Sequence, residues 1–123
     1  MHKEEPFSKE DIKEFRKVIL HKIEFAQKEL SEQEKSLSGI SNNIAQDNIK
    51  KLEDSFVVEE QERLNTLAIR LKKFIQRLEE ALVRIEKGTY GFCQATGKRI
   101  DKQRLLLVPH TTHSVEGKNR RKH

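Results

Sequence analysis

Leu64, Leu71, Leu78 and Ile85 recur every seven residues, and Leu67, Phe74 and Ala81 form an interleaved series. On an α-helix such positions share one narrow face, so the segment predicts a coiled-coil seam sustained for about three heptads. Gly88 stops it. A seam this narrow cannot stand alone in water, because an isolated helix is marginal without a partner against its apolar stripe.

A second stripe supplies the partner. Ile12, Phe15, Ile19, Ile23, Ala26, Leu30 and Leu37 recur at steps mostly of three and four, which is one helical face. Ser8 can cap this helix, Asp11 completes a shortened capping box, and Glu10 suits the positive end of the dipole. Phe7 and Ile12 occupy the staple positions on either side of the cap. Ser38 and Gly39 are expected to end the helix. Residues 40–54 then mix loop formers (Ser41, Asn42, Asn43, Asp47, Asn48) with Ile40, Ile44, Ile49 and Leu52, so a short helical turn could form there. Asp54 or Ser55 caps the second helix. The simplest arrangement is a long antiparallel helical hairpin with its tip at about 40–54 and arms of roughly 40–50 Å. The alternative, in which each stripe serves an intermolecular coiled coil, is disfavoured by the Ser/Asn-rich break.

The composition agrees with long helices rather than a thick core. Hydrophobic residues are 34% and charged residues 37% of 123, with no Trp, so one domain with a tail is expected. The net charge is +5, and removing Lys118, Arg120, Arg121 and Lys122 leaves +1. Basicity is therefore concentrated at residues 118–123. A basic tail can touch nucleic acid or an acidic protein surface, but is more often a solvated end. A single cysteine excludes an internal disulfide and fits a reducing compartment. No window holds the roughly 20 apolar residues of a membrane span, and no apolar run follows the first charges as in a secretory signal. A soluble, cytoplasmic protein is expected.

After Gly88 the period changes. Tyr90, Phe92 and Cys93 lead into Ala95, Thr96 and Gly97, with Lys98, Arg99 and Ile100 beyond. This reads as a small β-hairpin or turn with Gly97 at positive φ. Asp101 can cap a short helix through Leu106, Pro109 ends it, and Thr112 or Ser114 can cap a final basic helix. Cys93 and Thr96 stand as a Cys-x-x-Cys pair would, and Ser114 and Gly117 as a second pair would. A structural zinc ion needs four side chains donating sulfur, nitrogen or carboxylate oxygen. Glycine cannot donate and neutral hydroxyls do so poorly, so no metal and no cofactor are expected.

The segment RIEKGTYGFCQATGKRIDKQRLLLVPHTTHSVE resembles the globular end of the DksA/TraR family of bacterial transcription regulators. The resemblance rests on the helix end, the acidic and glycine turn, Tyr-Gly-aromatic-Cys, the glycine after the knuckle, the Arg-Leu pair and Pro-x-x-Thr. It covers roughly residues 74–116, and the cysteine-poor, zinc-free branch is the nearest match. It implies a zinc-binding-type globular end, here degenerate, beside a coiled-coil hairpin that enters the secondary channel of RNA polymerase. Family members bind polymerase and no specific DNA sequence, and acidic residues at the hairpin tip act near the catalytic centre. The family's tip motif, Asp-x-x-Asp-x-Ala, falls by spacing on Lys50, Glu53 and Ser55. Only Glu53 keeps an acid, and a shifted loop could bring in Asp47 or Asp54. Some relatives help bind the alarmone guanosine tetraphosphate, a stringent-response signal, through basic residues on the second helix and just before the proline. Here Arg77 is basic but Val108 precedes Pro109, so weak or absent dependence is expected. The resemblance assigns Arg77 and Arg104 to contact with the channel rim, or Arg104 with Leu105 to packing of the knuckle.

Other chemistry is poorly supported. Cys93 with His110 and His113 offers three metal ligands at best, and Cys93 lacks the neighbours of a catalytic thiol. Glu53 and Asp54 also suit an ordinary helix start. No phosphate loop and no hydrolytic arrangement appears, so no enzyme is expected. The expected organisation is a hairpin over 1–88, a degenerate zinc-finger-like module over 89–117 and a basic tail over 118–123. The competing reading is a non-enzymatic module that binds ribosome or RNA through that tail.

Overall fold

The structure is a computed structural model, and it describes residues 5–46 and 55–121. Four helices follow in order: α1 (Lys9–Gln46), α2 (Ser55–Lys87), α3 (Lys102–Leu107) and α4 (Val115–Arg121). The fold is mainly α. The two long helices form the hairpin, and the described residues hold no strand beyond one antiparallel bridge, Phe92 to Arg99.

The chain divides into two compact units, residues 1–23 with 77–123, and residues 24–76. In the second, Ala26 of α1 and Leu64, Ala68 and Ile75 of α2 are buried. The Leu64-Leu71-Leu78-Ile85 series runs along the seam as expected, though Leu71 and Ile85 are only half-buried. The interleaved series is shifted by one residue over part of its length. Ala68 and Ile75 are buried where Leu67 and Phe74 are half-buried, while Ala81 keeps its expected place. An exposed pair, Lys72 to Glu34 at 3.8 Å, links the two helices and adds little stability at such exposure.

α1 does not end at Ser38 and Gly39. It continues to Gln46. Gly39 has no positive φ, and a Cβ there would meet nothing within 4 Å. A solvent-facing glycine costs a helix only about 1 kcal/mol, and Ile40 and Ile44 continue the helical spacing. The segment expected as loop is therefore helical at least through 46.

In the other unit the start of α1 and the end of α2 join the knuckle. The Ser8 hydroxyl accepts the Asp11 N–H at 3.1 Å, the expected cap. Phe7 packs edge-on against Phe15, centroids 5.1 Å apart, and Phe15 leans on Tyr90 at 5.4 Å. A Cβ on Gly91, itself at φ 89°, would meet the Phe7 ring at 2.6 Å, so only glycine lets the ring settle there. Phe7 is thereby drawn into the knuckle, with the Arg99 guanidinium over its ring, 4.6 Å from the centroid. Gly88 closes α2 at φ 77°. Its N–H reaches the Ile85 carbonyl at 3.2 Å and the Thr89 N–H reaches Arg84 at 3.0 Å, the paired pattern of a Schellman end.

Candidate functional site

The knuckle is built on a tight turn. The Cys93 N–H donates to the Lys98 carbonyl and the Gly97 N–H to the Cys93 carbonyl, both at 2.8 Å, with Gly97 at φ 74°. Ile100 N–H returns to Gly91 at 2.7 Å. Asp101 stands at the start of α3 without a side-chain cap bond. Ser114 does cap α4, its Oγ accepting the Gly117 N–H at 3.0 Å. Gln94 N–H donates to Thr112 at 2.8 Å and ties the turn to the segment before α4.

Cys93, Thr96, Ser114 and Gly117 are brought together. The Ser114 hydroxyl donates to Cys93 Sγ at 3.5 Å, and Thr96 Oγ1 accepts the Lys98 N–H at 3.2 Å. The thiol is buried, 1% exposed. Burial pushes its pKa up, but hydrogen bonds from Ser114 and Thr96 outweigh this and bring it down to about 6. The four positions do not fit zinc. One thiol is joined by two neutral alcohols and a residue without a side chain. Cys93, His110 and His113 form no substitute: among the described residues no three His, Cys, Asp or Glu groups gather as a metal site.

Beside the knuckle, Arg77, Arg104, Val108, His110, Thr111, His113 and Lys118 line an open cleft of about 460 Å³. Arg104 Nε donates to the His113 carbonyl at 2.9 Å and Nη2 reaches Thr111 Oγ1 at 3.5 Å. Leu105 is fully buried. Both are thus taken up in knuckle packing. Arg84 donates to the His110 carbonyl at 3.4 Å, and the Tyr90 hydroxyl to the Pro109 carbonyl at 2.8 Å. Burial raises the Tyr90 pKa, keeping that donor protonated. The His110 pKa is lowered by burial first, then by the positive charges of Arg77, Lys22 and Arg84. Lys118, which sequence alone assigns to a solvated tail, belongs to α4 and lines the cleft with Arg77. The Ser114 cap signal four residues earlier already pointed to helix there. Asp47, Glu53 and Asp54 lie outside the described residues.

Residues 88–123 match the model of the prokaryotic dksA/traR C4-type zinc finger. A solved structure of the transcription factor DksA2 from Pseudomonas aeruginosa superposes with a TM-score of 0.84 at 28% identity, over 94% of this chain and 85% of that one. The knuckle segment is thus similar to the DksA/TraR finger, and the fold of the chain to that of DksA2. The RNA polymerase-binding transcription factor DksA of Caulobacter vibrioides is 43% identical over 51 residues, which are 42% of this chain and 36% of that protein. The match thus spans about a third of that relative's length. General stress protein 16O of Bacillus subtilis is 27% identical over 103 residues, 80% of this chain and 63% of that protein. This chain keeps a single cysteine in a segment matching a four-cysteine finger.

Proposed function

We propose that this DksA/TraR protein is a transcription regulator that binds RNA polymerase through its secondary channel and catalyses no reaction itself. The observation that carries this reading is the likeness to DksA2 over 94% of the chain, hairpin as well as knuckle. A polymerase partner places the protein in the cytoplasm. In this reading the hairpin enters the channel, the knuckle end rests on the rim, and Asp47, Glu53 and Asp54 are the acids available to the tip. Arg77, exposed at the cleft, is the candidate rim contact. Guanosine tetraphosphate has little effect, because Val108 stands where the resemblance implies arginine.

A pull-down with purified core polymerase, competed by a known secondary-channel binder, tests the partner. Retention that the competitor abolishes is expected, and retention that ignores it would remove the channel from the account. The tip is tested separately with Glu53→Ala plus Asp54→Ala in multi-round transcription at saturating protein. Altered output at nearly intact affinity is expected. Unchanged output with reduced helicity would leave these acids a capping role only.

A further inference from the structure

We infer that Gly117 locks the knuckle shut against the Cys93 thiol, so that the closed state is held by shape and the fold itself opposes a side chain at the fourth finger position. A Cβ built on Gly117 falls inside the van der Waals sphere of Cys93 Sγ, and also lies 3.2 Å from Ala95 Cβ and 3.3 Å from Ser114 Oγ. Gly117 has no positive φ. Glycine is needed here for space and not for backbone conformation.

None of the three neighbours can easily yield. Cys93 is held through both its N–H and its carbonyl, and its sulfur is almost wholly enclosed. Ala95 Cβ moves only with the turn. Ser114 Oγ both caps α4 through the Gly117 N–H and donates to the sulfur. A side chain at 117 must therefore push α4 away from the turn, breaking the Ser114 to Cys93 bond and exposing the thiol. The sequence alone suggests that zinc is absent because ligands are missing. The geometry adds that restoring a side chain at 117, a cysteine included, is opposed by the position of α4 itself. This holds whatever partner the protein binds.

The experiment is a double-mutant cycle on the full chain with Gly117→Ala, Cys93→Ala and both together. Thermal unfolding is followed by circular dichroism, and the Cys93 thiol is labelled with a disulfide reagent. Gly117→Ala is expected to lower the midpoint by roughly 5 °C or more and to speed labelling by about tenfold or more, as expected when a buried group gains a more populated open state. Removing the sulfur frees the space that the new methyl needs. The double variant is therefore expected to be more stable than the sum of the single effects allows. If Gly117→Ala does not fold, Cys93→Ala plus Gly117→Ala is still expected to fold. An unchanged midpoint and labelling rate in Gly117→Ala, strictly additive effects, or a double variant no more stable than Gly117→Ala would each overturn the lock.

Discussion

His110 illustrates how one side chain couples the cleft to solution conditions. It sits half-buried at the end of the turn after α3, facing Arg77 and Arg84 of α2 and Lys22 of α1. Burial and these three cations lower its pKa below the ordinary value of about 6.5. The unfolded chain then binds the proton more readily than the native one. Stability from this group is complete above about pH 6.5 and falls as pH drops through the window beneath it. The thermal midpoint should decline between about pH 7 and 5, and His110→Gln should flatten that decline. Cys93, brought down to about 6, loses stabilisation in the same direction as pH falls toward that value. The His110 share is therefore read by comparing His110→Gln with its parent in a Cys93→Ala background. Asp11 acts elsewhere. Its carboxyl is held below the usual carboxylate range, chiefly by the Lys102 bond, and loses its contribution only in more acid solution. At this scale sequence was a partial guide. The sevenfold series found Leu64 and Leu78, whereas Ala68 and Ile75 took burial expected for Leu67 and Phe74. Periodicity gives a stripe's direction to within about one residue, and the partner helix selects which edge it covers. Phe7 shows the opposite limit. The staple positions marked Phe7 as an apolar residue beside the cap, but its packing on Phe15 and over Gly91 is tertiary and had no local signal.

Elements were legible where an end has its own chemistry. Ser8, Ser114 and Gly88 each act where their side-chain oxygen or positive φ is needed, and these signals are local enough to read from sequence. Gly39 misled because glycine marks a helix end only when the backbone turns left-handed, and here it does not. A direct consequence is that Gly39→Ala should stabilise α1 by about 0.5–1 kcal/mol, since the methyl meets open space and the unfolded chain loses freedom. A stronger helical signal in circular dichroism is the expected readout, and a weaker one would return the helix end to Ser38. The α2 seam predicts a larger effect. Leu78 is fully buried, so Leu78→Ala should cost about 2–5 kcal/mol through lost contacts and the cavity left behind. Lys73, exposed on the same helix, should change stability by about 0.5 kcal/mol or less on replacement by Ala. Urea melts of the two variants decide it, and equal small shifts would contradict the seam.

For the molecule as a whole, the likeness to DksA/TraR proteins was readable from the turn and helix signals of the knuckle, because those residues perform backbone tasks that tolerate few substitutes. The hairpin carried less identity, since many sequences satisfy a heptad stripe. What sequence could not supply was the meaning of the basic end. Read as a tail, it favoured ribosome or RNA as an alternative partner. Lys118 instead lines the cleft, and the chain is helical through Arg121, so simple truncation would damage the knuckle along with the charge. Neutralising Arg120, Arg121 and Lys122 to Gln lowers the net charge from +5 to +2 by removing three cations, while glutamine remains a good helix former. If a shaped surface engages polymerase, affinity for the core enzyme should change little and the helical signal should persist. Any residual binding to RNA should weaken, and its dependence on salt should flatten, because fewer phosphate counterions are released. If instead the basic end were the means of binding, polymerase retention would fall in step with RNA binding, and added salt would abolish both together. Binding curves for core polymerase and for an unstructured RNA, each at two salt concentrations, separate the two accounts.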